Sequence, residues 1–369
     1  MQILLNAEHF KSCLEIVEKA LPARSTMPVI SNILLDINND CLNFSATNLE
    51  MFIKSRMDYE GGESGKILLP PKIVDIMRYF PTDKVTLDIN WDNYRINVSG
   101  GSANFHLYGS NPEDYPVTFD ITSSQKKPIN IDQKKLKSII KSVVFAASNE
   151  ETRPAFNGVL LSSHENTFSL TASDTYRLAI KELKDDKWSL DDNHSLVPAR
   201  SMRELLRILG EHNANILILR EKNILAFQLE GVYFATRLLE EKYPDVSGVI
   251  PNDYKTRIIL GRKDFEDTIN RASLLAEGKN HAVNIIVNNN QLEVKVSGQE
   301  GSMEEMLPVV QDGEDIELFA NTRFVSDVLK IIEEQKIIVD FHGDGGPLIF
   351  RIDEDPGYLY LVLPIKKLN

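Results

Sequence analysis

The sequence is poor in cysteine and tryptophan, has no long apolar run and carries no excess of positive charge. Its 369 residues include two cysteines, Cys13 and Cys41. That excludes a disulfide framework and suits a reducing compartment, so the cytoplasm is the expected location. No run approaches the ~18 apolar residues that cross a bilayer as a helix, and no membrane partner is expected. The opening Met1-Gln2-Ile3-Leu4-Leu5-Asn6 lacks the basic and apolar regions of a secretion signal. The formal charge is −13 and the pI near 5.1. An acidic chain of this kind does not grip nucleic acid by bulk charge.

The usual marks of catalysis are also missing. Seven histidines (His9, His106, His164, His194, His212, His281 and His342) fall at no metal-ligand spacing. With two separate cysteines, no zinc site is expected. Gly61-Gly62-Glu63-Ser64-Gly65-Lys66 looks like a phosphate-binding loop, but Glu60 precedes it and Ile67 follows where a hydroxyl residue is needed. It reads as a loop between strands. Gly343-Asp344-Gly345-Gly346 reads as a hairpin turn, and Asp353-Glu354-Asp355 as an exposed polar turn. No catalytic residue, metal or cofactor is expected, and the chain reads as a non-enzyme.

What the chain does have is an ordinary globular composition, 42% hydrophobic and 26% charged, and a threefold repeat. An acidic-aliphatic-aliphatic-basic tetrapeptide occurs as Asp75-Ile76-Met77-Arg78, Glu204-Leu205-Leu206-Arg207 and Asp327-Val328-Leu329-Lys330. Each copy follows a short β-like run and a helix-start signal. A second helix opens each third, with apolar stripes Phe10/Leu14/Val17, Leu136/Ile140/Val143 and Phe265/Ile269/Ala272 at i, i+4 and i+7. The intervening segments alternate as strands do. Ile33 to Ser45 resembles Val159 to Thr171 at an offset of 126, and Tyr115-Pro116 recurs as Tyr243-Pro244 at 128. Asn288-Asn289-Asn290 between Val283–Val287 and Leu292–Val296 signals a hairpin. Joints are expected at Thr122 to Pro128 and Pro251 to Lys255, giving domains 1–123, 124–252 and 253–369. The predicted fold class is α+β: three copies of a unit with two helices packed on antiparallel sheets, each large enough for its own core.

The charge is unevenly distributed. Helices expected at 7–20, 71–80, 132–147, 198–210, 262–277 and 321–336 carry +4 together, leaving −17 elsewhere. Lys134, Lys137 and Lys141 share one helix face, and Arg200, Arg203 and Arg207 another. Such faces are either solvated or form a weak, sequence-independent surface for phosphates. Few aromatics interleave with them, which argues against a base-stacking platform for single strands.

End to end, the chain resembles the bacterial β sliding clamps, processivity subunits of replicative DNA polymerases. The resemblance is carried by Arg24-Ser25-Thr26-Met27-Pro28-Val29, Asn48-Leu49-Glu50-Met51, Phe156-Asn157-Gly158-Val159-Leu160, Ser173-Asp174-Thr175-Tyr176-Arg177-Leu178-Ala179, Tyr243-Pro244-Asp245 and the terminal Leu363-Pro364-Ile365. It implies a head-to-tail homodimer closed into a ring of six clamp domains. Helices line a hole that encircles double-stranded DNA topologically and without sequence preference. It further implies DNA contacts at Arg24, Arg153, Arg200, Lys137 and Arg203, with Glu150 weakening the contact beside Arg153. A ring joint is implied between Phe105 and Leu107 on one edge and Leu274 and Leu275 on the other. A hydrophobic groove for short linear motifs would be built from Phe156, Ser173, Thr175, Tyr176, Arg177, Leu178, Pro244, Val249, Leu361, Leu363, Pro364 and Ile365. The implied partners are the replicative polymerase catalytic subunit, the clamp loader, other polymerases and repair proteins. Thr175-Tyr176 and Phe156 are bulkier than the residues the family commonly has there, which implies a narrower pocket. The rival reading is a peptide-binding scaffold that does not encircle DNA.

Overall fold

A computed structural model describes the chain apart from residues 60, 62, 117–120, 122–127, 151, 165–166, 185–193, 212–213, 279, 344 and 367–369. The joint expected at Thr122 to Pro128 therefore lies, Pro128 apart, outside the described residues, as do Glu60, Gly62, His212 and Asp344. Among the described residues six α-helices form: α1 (Ala7–Glu18), α2 (Lys72–Arg78), α3 (Gln133–Val144), α4 (Ala199–Ile208), α5 (Arg262–Ser273) and α6 (Thr322–Leu329). Five begin directly at the end of a strand and α2 follows its strand after Pro70-Pro71, at the repeat positions read from the sequence. Asn6 and Asn321 cap α1 and α6 by accepting from the backbone N–H groups of His9 at 2.8 Å and Arg323 at 2.9 Å.

The helices stop short of their expected ends. After α1, Ala20 and Leu21 donate three residues back to Val17 and Glu18, and after α6 Ile331 donates to Val328. Tightened turns thus take over where the apolar stripe ends. Within the observed limits the helices carry +5, so the basic set survives the correction. The stripes themselves are buried throughout: Phe10, Leu14 and Val17; Leu136, Ile140 and Val143; Phe265, Ile269 and Ala272. Burying one such side chain contributes about 1.5–3 kcal/mol.

Among the described residues all strand pairing is antiparallel, and the chain separates into two compact units. The first is Met1–Lys134 with Arg203–Leu238. It holds a four-stranded sheet in the order Gln2–Asn6, Lys84–Asn90, Arg95–Gly100, Ala103–Tyr108. Its eight-stranded sheet runs Gly65–Leu69, Ile33–Ile37, Cys41–Thr47, Met51–Asp58, Val232–Arg237, Ile224–Leu229, Asn215–Glu221, Ile129–Asp132. The second unit is Lys135–Met202 with Leu239–Asn369. Its nine-stranded sheet runs His194–Pro198, Gly158–His164, Thr167–Ser173, Arg177–Lys184, Asp355–Val362, Leu348–Ile352, Lys336–Phe341, Thr256–Gly261, Val310–Gly313. A four-stranded sheet of Ser302–Pro308, Gln291–Ser297, Ala282–Asn288 and Ile316–Asn321 completes it. In the expected Asn288–Asn290 hairpin, Asn289 and Asn290 take φ of +49° and +59°, the left-handed pair a two-residue turn requires.

In each large sheet two consecutive thirds of the sequence meet strand to strand. In the first unit Met51–Asp58 pairs with Val232–Arg237, setting Phe52 opposite Ala235. In the second, Arg177–Lys184 pairs with Asp355–Val362, setting Leu178 opposite Leu361. Both residues of the second pair lie 126 positions beyond those of the first, so the two junctions share one register.

Candidate functional site

The second junction brings together many of the residues expected to form a groove. Its floor is a buried cluster of Leu178, Ile349 and Leu361, with Ile180, Val246, Ile250 and Leu359 packed against it. Side chains of alternate residues emerge on one sheet face, which explains why Leu359 and Leu361 flank Leu178. Around this floor stand apolar groups that face solvent: Val249 is 55% exposed, Leu363 42%, and Tyr176 and Pro244 are exposed as well. The terminal limb is fixed by backbone bonds. Leu363 donates its N–H to the Tyr176 carbonyl at 2.9 Å, and Ile365 to the Phe319 carbonyl at 2.7 Å. Leu363, Pro364 and Ile365 also border a hollow of about 350 Å³ with Leu318 and Phe319.

One wall begins at a turn. Ser173 is buried, and its Oγ donates to the Arg177 carbonyl at 2.7 Å while accepting from the Thr175 N–H at 3.1 Å. The Asp174 carboxylate accepts from the N–H groups of Tyr176 and Arg177, both at 3.0 Å. Thr175 is held at φ +77°, unusual for a β-branched residue. Its Oγ1 accepts from Arg153 Nη1 at 2.8 Å. Arg153, expected at DNA, is therefore hydrogen-bonded to the groove turn. Half-buried Phe156 stands edge-on to Tyr243 with ring centroids 5.6 Å apart. Burial drives the Tyr243 phenol well above its ordinary range.

Arg177 braces the wall from beneath. Its side chain is 11% exposed. Nε donates to Asp174 Oδ2 at 2.8 Å, Nη1 to Asp327 Oδ2 at 2.6 Å and Nη2 to the Phe145 carbonyl at 2.9 Å. The guanidinium also lies over the Phe324 ring at 4.6 Å. Burial opposes its charge, but Tyr360 and the Asp327 and Asp174 carboxylates outweigh that effect and raise its pKa above the ordinary guanidinium range. The sequence placed this arginine in the groove lining; the structure engages it within the protein. The sequence also missed Ile349, Val246 and Ile250 in the floor, and Asp327, Phe145, Phe324 and Tyr360 around Arg177. The signal for Val246 and Ile250 was available as apolar residues following Tyr243-Pro244.

The expected joint residues lie on open edges. In the first unit, Phe105 and Leu107 sit on Ala103–Tyr108, the last strand of its sheet. Phe105 is exposed and backed by Phe80 at 6.5 Å between centroids. In the second, Leu274 is 81% exposed at the end of α5, and Leu275 is half-buried. Beside it, the edge strand Ser302–Pro308 presents Met306, which sequence reading missed. Arg271 fastens α5 to that strand through Glu305 Oε2 at 2.8 Å, holding the carboxylate below its usual pKa. None of these residues belongs to the closed core except in part Leu107 and Leu275.

The basic residues divide by partner. Arg24 and Arg200 are exposed and make no hydrogen bond or ion pair with described residues. Lys137 and Arg203 are half-buried and engaged. Lys141 pairs with Glu333 at 3.1 Å and Arg207 with Glu204 at 2.9 Å. In the first third, Arg78 is surrounded by Glu15, Glu18 and Asp75. Among the described residues no group of three or more metal-ligating side chains occurs, and no helix is long and apolar enough to cross a membrane.

Comparison with known proteins completes the picture. The DNA polymerase III beta subunit family matches by its N-terminal domain over residues 1–120, its central domain over 130–245 and its C-terminal domain over 247–366. The chain is similar to the beta sliding clamp of Staphylococcus epidermidis, 29% identical with 99% of each chain covered. The Staphylococcus aureus beta sliding clamp matches at the same identity and coverage. Among solved structures, the DNA polymerase sliding clamp from Bacillus subtilis superposes with a TM-score of 0.91 at 28% identity, both chains covered in full.

Proposed function

The chain belongs to the DNA polymerase III beta subunit family, the sliding clamps, and from that membership we propose how its surfaces divide the work. The function itself follows from the family: it is a DNA polymerase processivity clamp and a non-catalytic subunit. The scaffold reading, which leaves DNA out, has no support there.

Homodimers and rings are typical of the family. We assign the joint of this chain to the Phe105 and Leu107 edge of one copy and the Leu274, Leu275 and Met306 edge of the next. Exposed apolar groups on an unpaired strand edge are liabilities in a monomer. Two different edges meeting head to tail close into a ring when the rotation allows.

Arg24 and Arg200 face the DNA, with Lys137 and Arg203 as engaged neighbours and Arg153 as a minor contact beside Glu150. A clamp must not hold its track tightly. Moderate positive charge, damped over ~8 Å at physiological salt, attracts the duplex without locking it, and topology does the retaining. The chain acts in the cytoplasm, with the chromosome.

The groove at the second junction takes short linear motifs from the replicative polymerase, the clamp loader, other polymerases and repair proteins. One observation carries this: solvent-facing Val249, Leu363 and Tyr176 surround a buried aliphatic floor. Each Leu or Phe anchor buried there contributes about 1.5–3 kcal/mol, enough for exchangeable binding.

The decisive experiment loads the protein onto nicked circular DNA with a clamp loader and ATP, then linearises the circle. The protein should run off free ends. Retention on linear DNA with unblocked ends overturns topological binding.

A further inference from the structure

The strand pair of the second junction has a reverse face, and a cavity lies on it. Lys181 faces Tyr358 across the pairing of Arg177–Lys184 with Asp355–Val362. The next pair, Ile180 and Leu359, turns to the other face and packs on the groove floor. Over Lys181 and Tyr358 lies a cavity of about 110 Å³, walled by α3 and by residues 331–334 that follow α6, all within the second unit. Tyr358 is 2% exposed, and its Oη is buried with no hydrogen-bond partner among the described residues. A buried hydroxyl left unpaired costs free energy, and such groups are rare. Its neighbours are largely ionic. Lys181 is buried and paired with Asp355, and Lys141 pairs with Glu333 at 3.1 Å. Glu334 accepts the Glu333 N–H at 3.1 Å and has no cationic partner among the described residues. The lining therefore holds one more carboxylate than it holds ammonium groups. Burial first, then the nearby Tyr360, Asp355 and Glu334, keep the phenol protonated well above its ordinary range. Ile331, Ile332 and Ile352 supply the apolar part of the wall.

We propose that this cavity binds a primary aliphatic ammonium ion, a small free amine held between the Tyr358 phenol, the Glu334 carboxylate and the three isoleucines. Size sets one limit. A water takes about 30 Å³ and a cavity of about 150 Å³ holds benzene, so this one holds about four or five heavy atoms. Charge sets another. An ammonium ion neutralises the excess carboxylate, and its N–H groups can donate to Tyr358 Oη and to Glu334. Lys181 and Lys141 are already spent on Asp355 and Glu333. An anion would add to the negative excess, and a bare alkali cation would leave the isoleucines unused. The methylene chain of an amine covers them and leaves water.

The test uses the full-length protein with isotope-labelled isoleucine methyl groups, followed by nuclear magnetic resonance. Butylamine, added as its hydrochloride, should shift the Ile332 and Ile352 signals saturably, with one site per chain. Butan-1-ol, of equal length and no charge, should not, and neither should potassium chloride at the same ionic strength. Tyr358→Phe should weaken butylamine about fivefold, as expected for one hydrogen bond. It should leave the urea midpoint of the free protein no lower, because the phenol has no partner to lose. Glu334→Gln, at a half-buried position, should weaken it about tenfold, as expected for a charged hydrogen bond. Nα-acetyl-lysine amide carries the same ammonium on a side chain and distinguishes the source. Weaker binding than butylamine supports a free amine, and equal or tighter binding overturns that assignment in favour of a lysine side chain. The absence of a saturable shift overturns the proposal, as do shifts of the same size from butan-1-ol or potassium chloride. Unchanged affinity in both folded variants overturns it as well.

Discussion

The turns Thr47–Met51 and Ser173–Arg177 share one backbone and differ in what surrounds it. In the first, Thr47 Oγ1 donates to the Met51 carbonyl at 2.8 Å and accepts from the Leu49 N–H at 3.0 Å. Asn48 accepts from Glu50 and Met51 as Asp174 does from Tyr176 and Arg177. Leu49 holds φ +74° where Thr175 holds +77°. Even the strand beyond is joined alike: Arg237 donates to the Glu50 carbonyl as Leu363 does to that of Tyr176. Yet Met51 enters an apolar core, whereas Arg177 enters a cage of two carboxylates, a carbonyl and aromatic rings. The backbone hydrogen bonds fix the turn; the residue at its last position decides whether the wall behind it is apolar or ionic.

The largest expected effect follows from that last position. Arg177→Ala leaves Asp174, Asp327 and a carbonyl without their donor, and should cost about 3 kcal/mol. The urea midpoint would fall with an unchanged slope. Met51→Ala should cost about 2 kcal/mol through a cavity. If Met51→Ala cost as much or more, the contrast between an ionic and an apolar wall would lose its meaning. Next comes binding. Leu363→Ala with Ile365→Ala should weaken a polymerase-derived peptide tenfold or more, by calorimetry, and leave the dimer mass unchanged. Unaltered affinity would remove the groove assignment.

A smaller effect concerns the left-handed residue. Thr175→Gly should stabilise by about 1 kcal/mol, since a β-branched residue there is strained. Leu49→Gly should gain less, and equal gains would show that branching is irrelevant. The smallest is pH dependence. Asp245 accepts from the Ser247 N–H at 2.9 Å, which holds its pKa below the ordinary 3.8. A lowered folded pKa stabilises above the unfolded value and is lost as pH falls through the folded one. The Asp245–Ser247 turn should therefore loosen below about pH 4, read as faster amide exchange at Ser247.

Much of this was legible in one dimension. The helical stripes, the tetrapeptides and the Asn-rich hairpin are local patterns, and local patterns fix helices and turns. The resemblance named Leu178, Leu361, Leu363 and Tyr176, which the structure brings together at the second junction. What stayed hidden depends on register between distant strands. Ile349 joins the floor only because Leu348–Ile352 pairs beside Asp355–Val362. Arg177 looks like a surface cation until Asp327, 150 residues away, is brought against it. Ile121 ends an alternating run, Val117-Thr118-Phe119-Asp120-Ile121, but nothing in that pattern names Tyr233, 112 residues away, as its partner.

A tether is finally judged under load. If a partner grips Leu363, it pulls on a terminal limb that continues into Asp355–Val362, the middle strand of nine. That strand is bonded on both sides, to Arg177–Lys184 and to Leu348–Ile352. Tension on the limb is thus shared as shear among the rungs of two ladders and never concentrated on one. The grip can be brief and exchangeable because the post it is tied to does not yield.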